Sequence, residues 1–152
     1  MKILLFFIGL LLFSTVNAAP IGVCHSGSWY SPDRVGEGIS LEVLEDQVVL
    51  YFYTYRDGDK DWYIMQGART TTSAVSLEIF ATEFEAKEPF TVDVYDVGDA
   101  VVEIIDDNTL SFEFVHTLDI QLPGTFPFCL ADRCTGVHEY IRLTSIVDCE
   151  AP

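Results

Sequence analysis

After residue 18 no stretch of this chain sustains a helical apolar period over three turns, whereas apolar residues recur at every second position through most of its length. That alternation confines the chain to β-sheet, with one face of each strand turned to a core. "ISLEVLE" sets Ile39, Leu41 and Val43 on one face and Ser40 and Glu42 on the other. "VVLYFYTY", residues 48–55, is apolar or aromatic on both faces, which predicts a central strand that is covered on both sides or aromatic on its outer side. Asp57-Gly58 then marks a hairpin, with "DWYIMQG" as the return strand. Further strands are expected at "AVSLEIFAT", "FTVDVYDV", "AVVEIID", "LSFEFVH" and "EYIRLTSI", with turns at Pro89, Gly98 and residues 106–108. About eight strands at spacings near ten residues predict an all-β, antiparallel up-and-down barrel, with a β-sandwich as the alternative.

The first eighteen residues have a different logic. One lysine, an apolar run over residues 3–13 and small residues before Ala19 read as a secretory signal cleaved after Ala18, leaving residues 19–152 as a single domain. The run is too short to span a bilayer as a helix, and no later segment is long enough. A secreted or periplasmic location follows. Acylation at Cys24 is disfavoured by the bulky Val23 before it and by its distance from the apolar run.

All four cysteines fall in the exported portion, where an even number favours disulfides. Three connectivities are open. The preferred one joins Cys24 to Cys149 near the two ends and Cys129 to Cys134 across "CLADRC". Zinc is the rival use, and Cys-x4-Cys near His138 lacks a second pair to complete it. The formal net charge of −16 becomes one unit more negative when Lys2 leaves with the signal. Such an acidic chain is unsuited to nucleic acid or an anionic membrane; a cationic protein partner is compatible with it.

The densest motif is "GSWYSPDRVGEG", residues 27–38. Its Gly27-Ser28-Trp29 resembles the G-x-W that opens avidin-type and lipocalin-type (calycin-like) barrels. There the tryptophan plugs one end and an arginine from a late strand lies across its ring, which implies a barrel-closing role for Gly27, Trp29 and Arg142 of "YIRLT". A guanidinium over an indole face is favourable in itself. Residues 27–143 also resemble a group of exported bacterial domains in which Gly-x-Trp-aromatic is followed by a proline, a Gly-x-Gly, an aromatic strand ending in Thr-Tyr, a tryptophan after a glycine turn, and Arg-Leu. Here these are Gly27, Trp29, Tyr30, Pro32, Gly36, Gly38, residues 52–55, Gly58, Trp62, Tyr63 and Arg142-Leu143. That resemblance implies a β fold and export and brings no catalytic residues with it.

Gly36-Glu37-Gly38 precedes a strand pattern, so it lacks the helix N-terminus of a phosphate-binding loop and reads as a bend or bulge. "DGDKDW" begins like a calcium loop, but Trp62 stands where glycine is required and Ala68 where the bidentate glutamate belongs. His25, His116 and His138 show no metal spacing, and no nucleophile motif is present. Paired acids such as Glu42 and Glu103 are candidates for an acid and base facing each other across a barrel, against the commoner role of solvated surface carboxylates in so acidic a chain.

The aromatic set Tyr51, Tyr53, Tyr55, Trp62 and Tyr63, carried on two strands of one hairpin, is the candidate ligand site, for stacking on a sugar or lining a barrel mouth. The expected function is an exported, non-enzymatic binding module for a small apolar molecule or a glycan, with no cofactor and no metal. The alternative is an acidic protein-interaction module, such as an inhibitor of a basic enzyme, that uses residues 129–134.

Overall fold

The computed structural model describes residues 19–56, 59–85, 91–117, 137–144 and 149. The proposed leader, the Asp57-Gly58 tip, Pro89 and the Cys129–Cys134 segment lie outside the described residues. The described chain forms eight strands: β1 (Gly27–Tyr30), β2 (Gly38–Val43), β3 (Gln47–Arg56), β4 (Asp59–Ala68), β5 (Ala74–Glu85), β6 (Thr91–Asp106), β7 (Thr109–Thr117) and β8 (Val137–Arg142). Each pairs antiparallel with its sequence neighbour, and β8 returns to β1, closing an up-and-down barrel.

The alternation in the sequence becomes inside and outside. Ile39, Leu41 and Val43 on β2, Val48, Leu50 and Phe52 on β3, and Leu110, Phe112 and Phe114 on β7 all point inward and are buried. Phe52 stacks on Phe112 with ring centroids 5.6 Å apart, and Phe114 meets both edge-on at 5.7 and 4.8 Å. Strands β3 and β7 stand on opposite walls of an eight-stranded ring, so these rings bridge the lumen and fill it at that level.

One departure concerns Gly98. It was expected to turn the chain between two strands, but β6 runs through it without a break. Gly98 adopts φ 143°, and the ladder register slips beside it, between Asp99 and Ala100 towards β7 and between Ile79 and Phe80 towards β5. The glycine supplies a bulge that bends a long strand around the barrel, where a turn would have ended it.

The start of β1 marks a closed end. Trp29 is buried beneath Arg142, whose Cζ lies 5.0 Å from the ring centroid. The Arg142 guanidinium also donates to the backbone carbonyl of Cys24. Residues 19–26 cross the same end: Ile21 is fully buried, its N–H donates to the Thr72 carbonyl at 3.0 Å, and Arg69 Nε donates to the Ile21 carbonyl at 3.1 Å. Ser26 Oγ accepts from the Val43 N–H at 2.9 Å, and a disulfide ties Cys24 to Cys149. Gly27 is required at its position. It has φ 141°, and a Cβ there would lie 2.9 Å from the Thr144 carbonyl oxygen.

At the opposite end the 31–37 connection carries Glu37, a largely buried carboxylate. Arg34 Nε pairs with its Oε2 at 2.9 Å, and the Thr54 hydroxyl donates to Oε1 at 2.8 Å. Nearby the Tyr140 hydroxyl is buried and lacks a hydrogen-bond partner. Burial pushes its pKa up, Glu37 adds to the rise, and Arg34 opposes it.

Candidate functional site

The β3–β4 ladder decides how the aromatic set is divided. Arg56 pairs with Asp59 on either side of the hairpin tip, and from there the register places Tyr55 opposite Lys60, Tyr53 opposite Trp62 and Tyr51 opposite Ile64. Phe52 faces the lumen, so its neighbours Tyr51 and Tyr53 must face out. The outer face thereby gathers Tyr53 at 47% exposure, Trp62 at 44% and Tyr55 at 36%, with Tyr51 half-buried among them.

Tyr63 goes the other way. It is the inward partner of Phe52, only 4% exposed, and its hydroxyl donates to the Asp61 carboxylate. Of the five aromatics expected together, four share the outer face and one belongs to the lumen packing.

Tyr30 was not part of the expected set, yet it joins this face at 38% exposure. The ladder pairs Tyr30 with Gly38, and Gly38 with Tyr53, so an outward row runs Tyr30, Gly38, Tyr53, Trp62 across four strands. The signal for Tyr30 was present in Trp29-Tyr30: once the indole plugs the barrel, strand alternation sends the next side chain outward.

Gly36 and Gly38 belong to the same surface. Gly36 has φ 89°, and a Cβ on it would lie 2.5 Å from Tyr55 Cε2, so the Tyr55 ring rests directly on the glycine backbone. This is the bend expected of the Gly-x-Gly motif, with an aromatic lid on it.

The acid–base pair does not assemble. Glu42 stands between inward Leu41 and Val43, and Glu103 between inward Val102 and Ile104, so both carboxylates point outward with the barrel wall between them. Among the described residues no group of three or more acidic, histidine or cysteine side chains is arranged to hold a metal ion. His25 is buried at the closed end, where its Nδ1 accepts from the Gly22 N–H at 2.9 Å. Burial lowers its pKa and Arg142 works in the same direction, while the backbone hydrogen bond with Gly22 and the Asp107 charge oppose.

A second surface feature lies where the β4–β5 ladder ends after only three paired residues. Gly67 passes so close to β5 that a Cβ would lie 2.0 Å from the Ser76 carbonyl oxygen. Beside this crossing is an open groove of about 530 Å³ whose lining includes Asp46, Glu78 and Asp99. Glu78 and Asp99 face each other directly across the β5–β6 ladder, an arrangement that is unfavourable without a counter-charge.

Among the described residues no helix is long and apolar enough to cross a membrane. No protein-family model matches the chain, and neither the curated proteins nor the solved structures contain a match to it. The structure therefore shows an eight-stranded antiparallel barrel, and the comparisons attach no family to it.

Proposed function

We propose that this protein is an exported, non-enzymatic binding module that engages a glycan on the outside of its barrel, through the aromatic face of β3 and β4. The observation that carries this reading is the pairing of Tyr53 with Trp62, outward neighbours on the β3–β4 ladder that are each more than two-fifths exposed. Rings held this way offer stacking area at little entropic cost and leave the tyrosine hydroxyl and indole N–H for hydrogen bonds. The aromatic bridge across the lumen favours this outer face over an apolar ligand at that level inside. The leader-like first eighteen residues and the Cys24–Cys149 disulfide support export. The test is binding to an array of oligosaccharides: it should persist in half-molar salt, because stacking is not screened, and fail in Trp62→Ala.

The acidic groove supports a second reading, a contact for a cationic protein, because Glu78 and Asp99 face each other there. Such a contact would weaken steeply with salt and respond to Glu78→Gln with Asp99→Asn, leaving Trp62→Ala without effect.

A further inference from the structure

We infer that the glycan contact centres on a trough over β2, where a neutral sugar ring sits above Gly38 between Tyr30 and Tyr53. This rests on the outer-face reading above and assigns it a ligand class and a path.

The trough follows from side-chain size and register. The outward positions of β2 are Gly38 and Ser40, with Gly36 just before them. On one flank the ladder sets Tyr30 beside Gly38 and Ser28 beside Ser40. On the other it sets Tyr53 beside Gly38 and Tyr51 beside Ser40, with Tyr55 lying over Gly36. The floor, one hydroxyl and no larger side chain, thus runs between Tyr30 and Tyr53 at Gly38 and between Ser28 and Tyr51 at Ser40. The walls stand on β1 and β3, two strand spacings or about 10 Å apart, which admits one flat ring between two aromatic faces. The open floor from Gly38 to Ser40 is about 7 Å long, room for one sugar ring, and the Tyr55 ring over Gly36 closes its near end. Gly38 is constrained from the side as well, since a Cβ there would stand 3.1 Å from the Trp29 carbonyl oxygen of the neighbouring strand. The same glycine thus lets β1 and β2 approach and keeps the floor open.

Charge selects among occupants. Glu42, the next outward residue of β2, is exposed at the far end of the floor, on a protein of net charge −16. A second copy of this chain, an anionic lipid surface and an acidic polysaccharide are all repelled. A cationic protein would be drawn towards Asp46, Glu78 and Asp99, which line the groove beside the β4–β5 crossing. A neutral polyhydroxyl chain is the occupant compatible with uncharged walls, and Glu42 and Ser40 can accept its hydroxyl protons.

The probes are neutral cello-, xylo-, manno- and chito-oligosaccharides, with oligogalacturonate as the acidic comparison, titrated by calorimetry onto the mature protein. We expect at least one neutral series to bind and oligogalacturonate to bind at least ten-fold more weakly. Tyr30→Ala and Ser40→Gln, which remove a wall and fill the floor, should each weaken binding by roughly ten-fold or more. Unchanged thermal midpoints confirm that these surface variants fold. Loss of binding in Trp62→Ala with Tyr30→Ala and Ser40→Gln both within two-fold of the parent would overturn the trough and leave the outer-face reading standing. Tighter binding of oligogalacturonate overturns the neutral class. Absence of binding to every probe, or indifference to Trp62→Ala, overturns the outer-face reading itself.

Discussion

Replacing Cys24 and Cys149 together by serine removes a covalent link between residues 125 apart in sequence. Closing a loop of that length in the unfolded chain costs about 16 cal/mol/K of entropy, so the bond should stabilise the fold by about 5 kcal/mol at 25 °C. The domain's whole stability is expected to be on the order of 5–15 kcal/mol, so the loss is a large share of it. The native barrel should nevertheless form, because the Arg142 guanidinium holds the Cys24 backbone carbonyl, which serine retains, and the β1–β8 pairing does not involve sulfur. Urea unfolding followed by the fluorescence of buried Trp29 and by far-ultraviolet circular dichroism measures the difference. The transition midpoint should fall and the slope rise, since the unlinked unfolded chain exposes more surface. A loss below about 1 kcal/mol would refute the loop-entropy argument. Loss of the sheet signal in the absence of urea would show instead that the disulfide shapes the barrel and does not merely tether its ends.

Tyr140→Phe removes a buried hydroxyl that lacks a partner and should raise stability by about 1 kcal/mol, read as a higher thermal midpoint; a drop of that size would mean the hydroxyl is satisfied. Arg142→Lys keeps the charge but forfeits the planar contact with Trp29, and should cost on the order of 1–2 kcal/mol in urea unfolding, with a parent-like midpoint contradicting it. His25 has a folded pKa below its ordinary 6.5, so the unfolded chain binds its proton first. Its contribution is therefore complete above pH 6.5 and declines as pH falls towards the folded value, by at most about 1.4 kcal/mol per pH unit. Comparing unfolding from pH 7.5 to 5 with that of His25→Gln isolates this slope, and parallel curves would show that His25 does not contribute to it.

The barrel was legible in the sequence because period-two alternation is a direct image of an inside and an outside, and Asp106 to Asn108 marked a turn that forms as expected. Gly98 misled because a glycine within a β pattern signals a turn or a bulge equally well. The register slips in the ladders on both sides, at Ile79–Phe80 of β5 and between His116 and Phe114 of β7, make it a bulge. Trp62 and Tyr63 show a related limit. Adjacent residues on a strand must face opposite ways, yet which one joins the tyrosines depends on register, and the two-residue tip between Arg56 and Asp59 sets that register. Glu42 and Glu103 fail as a pair for the same reason of parity, since both follow inward leucine or valine. Tyr30 and the open floor at Gly38 emerge only when three strands are laid side by side.

The two tryptophans allow the central claim to be measured directly, because Trp29 is buried at the closed end and Trp62 is exposed on the outer face. Fluorescence during titration with the tightest-binding neutral oligosaccharide, compared between the parent and Trp62→Phe, separates the two reporters. Binding on the outer face predicts a spectral change and protection from acrylamide in the parent, both abolished in Trp62→Phe while calorimetry still detects weakened binding. A full-sized change persisting in Trp62→Phe, and so originating at Trp29, would place the ligand inside the barrel and contradict the account.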